Sequence, residues 1–271
     1  MANTTAKGQQ GLSRLRQSSW FQNGARIGYA VAGLLHILIG VLAITVAIGG
    51  GGQDADQSGA LGTIASTPGG AVLLWIIVVG LFLLGLWQIL EALTVSEPDT
   101  KKRTGKRLKE AGKAVAYLAL GVTALTFAQG GGSSSEQSTE SATAGLLSSP
   151  LGVAGVLLVA LIAIGIGVGF LITGAKEKFL EHIRTPSGTA GRAVPILGKV
   201  GYIAKGVAVI VIGLLFAAAA FTQDPSRAGG IDGALKALAG LPFGVVILVV
   251  IGLGFIAYGL FFFVRAWRPR F

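Results

Sequence analysis

Cysteine is absent from this 271-residue chain, which excludes disulfides, thiolate metal sites and cysteine nucleophiles and leaves the redox compartment unread. Charge is scarce. Asp, Glu, Lys and Arg make up 13% of the residues, against ~25% in a usual soluble domain, too few to coat a water-exposed surface of this size. Histidine occurs only at His36 and His182. His36 has no second His, Asp or Glu at i+3 or i+4, so no metal centre is expected. There is no phosphate-binding Gly-x-x-x-x-Gly-Lys-Ser/Thr loop. The close glycines of GIGVG (165–169) lie inside an apolar run, not between a strand and a helix, so they are no dinucleotide fingerprint. No nucleophile elbow is present. The chain is expected not to be an enzyme, and no cofactor is expected.

What the chain has in excess is apolar residues, 52% of the total, gathered in six blocks at 25–48, 70–94, 111–129, 151–174, 197–221 and 243–266. Five exceed the ~20 residues a helix needs to cross ~30 Å of hydrocarbon, and the third falls just short. Backbone amides cannot stay unpaired in lipid. The blocks do not alternate in polarity as barrel strands do, so each reads as a transmembrane helix. The 43 glycines suit membrane helices, where small residues let backbones approach closely. The first block is longer than the roughly 7–15-residue core of a cleaved signal, so it is expected to be retained.

The net charge of +10 would attract nucleic acid, but its placement argues against that partner. Lys101, Lys102, Arg103, Lys106, Arg107, Lys109 and Lys113 lie between blocks two and three; Lys176, Lys178, Arg184 and Arg192 lie between four and five. Lys7, Arg14, Arg16 and Arg26 stand at the start of the chain and Arg265, Arg268 and Arg270 at its end. The other three connections hold Asp54, Asp56, Glu136, Glu140, Asp224 and Asp232, with only Arg227 and Lys236 opposing. This alternation is the positive-inside pattern. It puts both termini in the cytoplasm of a bacterial inner-membrane protein and brings anionic lipid headgroups to the basic loops.

The blocks repeat. RIGYAVAG (26–33), AVAYLALG (114–121) and KVGYIAKG (199–206) share Tyr-x-x-x-Gly: Tyr29 with Gly33, Tyr117 with Gly121, Tyr202 with Gly206. Each even block opens on Pro-x-Gly, at Pro68, Pro150 and Pro242, and seventeen residues later comes Gly85, Gly167 or Gly259. Proline is tolerated in a helix's first turn, so these prolines mark helix starts. The fold class is therefore all-α integral membrane, six transmembrane helices as three tandem hairpins of one orientation, packed as a pseudo-threefold bundle. The organisation is a flexible segment 1–22, repeat 1 (23–96), a basic linker 97–110, repeat 2 (111–178), a linker 179–195 and repeat 3 (196–271). Over residues 20–268 these motifs resemble the bacterial membrane family called domain of unknown function 1206. The resemblance implies the topology and carries over no catalytic residue.

On a helical wheel the tyrosines share one stripe with Gly33, Gly121 and Gly206, with Gly40 and Gly213, and with His36 and Lys205. Small residues mark helix contacts, and intramembrane ionisable groups face the interior. Gly85, Gly167 and Gly259 are the matching packing positions on the even helices. His36 reads either as a neutral imidazole bonded to a neighbouring helix or as a proton or ligand site. Glu91, near the end of its helix, is expected to pair with Lys205, or with Arg26 if the packing differs. Tyr29, Tyr117 and Tyr202 read as an interfacial belt or as the lining of a pocket. Segments 49–52 and 130–145 read as flexible Gly/Ser loops, and 231–244 as an amphipathic helix on the outer surface with a counterpart at 59–66.

Three functions stay open. In the first, the chain is a structural or accessory membrane protein in a homo-oligomer or larger complex, as its few buried polar groups suggest. Alternatively it is a transporter or channel along the pseudo-axis, or a binder of an apolar ligand such as a lipid, quinone or isoprenoid, with Tyr258, Trp75, Trp87 and Phe261–Phe263 as aromatic surface.

Overall fold

A computed structural model describes residues 18–50 and 54–270. Among them are nine α-helices: α1 (Ser19–Ala47), α2 (Gln57–Ala65), α3 (Gly70–Thr94), α4 (Thr100–Ala128), α5 (Ser135–Leu147), α6 (Pro150–Ala175), α7 (Gly188–Thr222), α8 (Ile231–Ala239) and α9 (Gly244–Trp267). α1, α3, α4, α6, α7 and α9 are long and apolar enough to span a membrane, which makes this a multi-pass helical membrane protein. The short helices α2, α5 and α8 occupy the three acidic connections.

Capping chemistry sets several starts. Asp99 accepts from Lys101 N (2.8 Å) and Lys102 N (3.2 Å) and starts α4. That start lies eleven residues before 111, so the basic linker 97–110 is mostly helix that continues the third span into water. Likewise α7 starts at Gly188 and carries Pro195 within it, so the linker 179–195 ends as helix. Ser134 caps α5 through Gln137 N at 3.2 Å, which orders most of the segment 130–145 expected to be a loop. Residues 1–17 and 51–53 lie outside the described residues.

The Pro-x-Gly markers do two different jobs. Pro150 is the first residue of α6, with Ser149 as its cap. Pro68 and Pro242 instead sit in turns, and α3 and α9 begin at Gly70 and Gly244, after Gly69 (φ +79°) and Phe243 (φ +64°). The glycine has one role in all three. A Cβ on Gly70, Gly152 or Gly244 would lie 1.8–1.9 Å from the carbonyl oxygen of Ile64, Leu146 or Ala239. No side chain fits there, because the preceding short helix folds back onto the start of the span.

The spans form a ring in the order α4, α3, α1, α9, α7, α6. The tightest pairs join consecutive repeats rather than the arms of one hairpin: α3 with α4, α6 with α7, and α9 with α1 closing the cycle. Paired marker glycines set these contacts. A Cβ on Gly33 would lie 2.8 Å from Gly259 O, and one on Gly206 2.9 Å from Gly167 O. Gly85 and Gly121 face Leu118 and Phe82 at the third equivalent seam. Gly40 meets Gly252, and Gly213 meets Ala160. Within the hairpins, α1 packs on α3 and α7 on α9, but α4 and α6 do not pack along their length. The ring is open on that one side.

Polar groups inside the ring form a candidate ligand site

The inward stripe of the odd spans brings the predicted residues together. Tyr29 (2% exposed) and Tyr202 (7%) are buried, and Tyr117 bridges the two apolar clusters of the core. Tyr202 stacks on Phe179 at 5.2 Å and meets Tyr258 edge-on at 5.0 Å. Tyr258 can come this close because a Cβ on Gly201 would lie 2.5 Å from its Cα. Most of the aromatic surface offered for an apolar ligand lies in the core. Trp87, Tyr258, Phe261 and Phe262 are buried, while Trp75 and Phe263 are exposed.

His36 and Lys205 meet. His36 Nδ1 lies 2.6 Å from Ala32 O, one turn back on its own helix. A carbonyl only accepts, so Nδ1 carries the proton and Nε2 is left as a lone pair. Lys205 Nζ donates to that nitrogen at 2.9 Å. The ammonium also lies over the rings of Tyr258 (4.6 Å) and Phe170 (5.3 Å), geometry that favours a cation. Among the described residues no carboxylate lies within 4.0 Å of it. The expected Glu91–Lys205 pair is thus corrected. The histidine one stripe position away on the neighbouring odd span takes the lysine, while Glu91 faces a different group.

That group lies nearer the basic end. Arg265 Nη2 donates to Tyr29 Oη at 3.0 Å, with its guanidinium over the Tyr29 ring at 4.3 Å. Gln88 lies between Tyr29 and two carboxylates. With its amide nitrogen toward them it donates to Glu110 Oε2 (2.7 Å) and Glu91 Oε2 (3.3 Å), and its oxygen faces the tyrosine hydroxyl. Lys113 bonds Glu110 at 2.7 Å. Sequence reading missed Gln88, Glu110, Lys113 and Arg265. One signal was available: Glu91, Thr173 and Arg265 each stand twenty-three residues after their repeat's proline, so opposite charges occupy one repeat position.

The acidic end is closed by the short helices. Ala55 N donates to Asp232 Oδ1 (2.7 Å), Ser135 N donates to Ser58 Oγ (3.1 Å), and Lys236 Nζ bonds Glu136 Oε2 (2.9 Å). Each contact joins a different pair of repeats. Ala55, Ala60, Leu61, Leu235 and Leu238 sit in the main core, so α8 tucks into the bundle rather than lying on a surface. Asp54, Glu136 and Asp232, one from each repeat, bring carboxylate oxygens within 4.8 Å of one another. That donor set could ligate a metal ion, but Lys236 Nζ, 2.5 Å from Asp232 Oδ2, already supplies the positive charge. Burial pushes the Asp54 and Asp56 carboxyls up, and the hydrogen bonds that Lys236 donates to Asp232 and Glu136 hold its ammonium above the usual range.

The repeat geometry agrees with the comparisons. Three segments, 27–95, 109–177 and 200–268, match the family described as Domain of Unknown Function (DUF1206). The chain belongs to the DUF1206 family. The segment boundaries fall where the cyclic packing puts them, one match per two-span unit. A relative, "Uncharacterized protein YxxB" of Bacillus subtilis (strain 168), is 32% identical over 265 residues, covering 92% of each chain. No solved structure matches.

Proposed function

We propose that this protein is a non-enzymatic accessory protein of the bacterial inner membrane that binds a long apolar ligand with an oxygen-bearing head. The ligand enters from the lipid phase between α4 and α6. The observation that carries this reading is Lys205: an intramembrane ammonium with no carboxylate partner, reaching Phe170 of α6 beside the open side of the ring. Charged groups in membrane helices are expensive and serve a purpose there. A ligand carboxylate or carbonyl takes the ammonium protons that His36 Nε2 leaves free and supplies the negative oxygen that the ring does not place beside Lys205. Repeat comparison supports the opening. Ile166 of α6 is 50% exposed, whereas Leu84 (0%) and Tyr258 (3%), at the same position of the other repeats, are buried.

The interlocked short helices argue against a channel along the axis, because they seal its acidic end with apolar side chains. A homo-oligomer is the second reading. It is favoured by Gly165 and Gly169 on the lipid side of α6, where an added Cβ meets nothing within 4 Å; small-xxx-small faces associate in membranes.

Lipid and metabolite mass spectrometry of the gently purified protein tests the proposal. Wild type should retain an acyl-chain or isoprenoid compound with an oxygen head, and Lys205→Met should lose it while remaining folded, since removing a buried charge that has no carboxylate partner relieves desolvation and offsets the hydrogen bond lost at His36 Nε2. An identical set of bound compounds on both proteins sinks the reading.

A further inference from the structure

A cleft of about 360 Å3 at the basic end is lined by Gln22, Arg26, Arg184, Trp267, Arg268 and Pro269. Three stretches of chain that are remote in sequence build it. Gln22 and Arg26 stand one turn apart near the start of α1. Arg184 follows the 3-10 turn Lys178–His182, and Trp267 ends α9. The last two stretches are fastened by their backbones. Arg184 N donates to Arg268 O at 2.9 Å, Arg270 N donates to His182 O at 3.0 Å, and Ile183 forms an isolated antiparallel bridge with Pro269. The fully buried Phe179 and Ile183 anchor this clasp in the core.

The clasp holds guanidiniums together that would otherwise repel. Among the described residues neither Arg184 nor Arg268 has a carboxylate within 4.0 Å. Trp267 (70% exposed) and Trp20 (87%) mark this level of the molecule, and exposed tryptophans sit at headgroup depth. A guanidinium fork matches phosphate oxygens in pairs, which a lysine cannot do. We propose that this cleft is a binding site for a phosphate-bearing anion, carried either by an anionic phospholipid headgroup or by a soluble phosphate. The site is separate from the ring interior and independent of the reading given above.

The test uses the full chain in phosphatidylcholine nanodiscs, with and without phosphatidylglycerol, read by native mass spectrometry and thermal unfolding. Arg184→Gln/Arg268→Gln should cut phosphatidylglycerol retention on the order of tenfold or more. Lys101→Gln/Lys102→Gln, at the far end of the exposed overhang of α4 where attraction to the headgroups is screened, should change it far less. Inorganic phosphate that displaces the lipid and stabilises the protein by itself supports a soluble source; indifference to phosphate supports the headgroup. Equal losses in both double variants would reduce the effect to surface charge, and no loss in Arg184→Gln/Arg268→Gln would remove the site. Either result overturns the proposal. Arg26→Gln, on a different element, carries the same expectation should the arginine pair prove necessary for folding.

Discussion

Gly259 and Gly165 have the same side chain and opposite surroundings. A Cβ on Gly259 would lie 2.5 Å from Gly33 O and 2.7 Å from Ile37 Cγ1, whereas one on Gly165 meets nothing within 4 Å. Forcing extra carbons into a packed seam costs ~1–3 kcal/mol. Gly259→Val should therefore lower stability by about that amount and prise α1 from α9, while Gly165→Val should stay within ~0.5 kcal/mol, as open-surface changes do. Thermal unfolding in detergent compares the two, and a Gly259→Val protein as stable as wild type would show the seam to be looser than drawn. The sequence predicted which glycines matter at this scale. Repeating spacing picked out Gly33, Gly206, Gly167 and Gly259, which meet across seams. It also set Tyr29, His36 and Lys205 on one stripe. It could not choose partners, because Lys205 can reach either Glu91 or His36 until the helix order around the ring is known.

The short helices show how an element's environment can invert its sequence reading. Residues 231–244 carry an apolar stripe that fits a surface helix, and α8 uses that stripe to fill the end of the bundle. Composition alone treats GGGSSSEQSTESATAG (130–145) as a linker, yet Ser134 caps it and Ser58 docks its first turn. The Ser134 cap is local, but the Ser58 contact comes from another repeat, so a reading along the chain misses it. The cap's pH response follows from its charges. The Asp54 and Asp56 carboxyls are raised by burial, so the folded cap holds protons more tightly than the unfolded chain. Their effect is to strengthen the cap as pH falls from neutrality toward the ordinary carboxylate range, near ~4. Lys236 is raised by its partners, so its contribution is complete at neutrality and fades only as pH climbs beyond the ordinary lysine value of ~10.4. Lys236→Met should loosen the cap at neutral pH by ~1–3 kcal/mol, because the buried Asp232 carboxylate loses its charge partner Lys236. Amide hydrogen exchange in α2 and α8, corrected for the intrinsic rate at each pH, measures this. Unchanged protection in the variant would mean that the apolar contacts alone hold the cap.

At the scale of the whole molecule, the charges sort with the ring. The two ends of each span differ in sign, and this survives folding. Arg103 and Arg107 extend from the start of α4, and Lys178 and Arg184 lie between α6 and α7. Asp54, Glu136 and Asp232 gather at the opposite end, one from each repeat. Parallel hairpins make this segregation possible, because every repeat presents its acidic connection on the same side; inverted repeats would have mixed the signs. Lys and Arg near span ends bias a loop to remain cytoplasmic, so the end carrying Arg184 and Arg268 should face the cytoplasm and the short helices the outside. A chain without cysteine lends itself to the measurement. Single cysteines at Arg103, half-buried, and Ser138, exposed, both outside the hydrocarbon, can be probed with a membrane-impermeant maleimide on intact cells. Ser138→Cys should label at once, and Arg103→Cys only after the membrane is opened. The reverse pattern would turn the molecule over and place the arginine cleft in the outer leaflet. Labelling of both from outside would contradict the six-span topology itself, since the two positions are separated by a single crossing of α4.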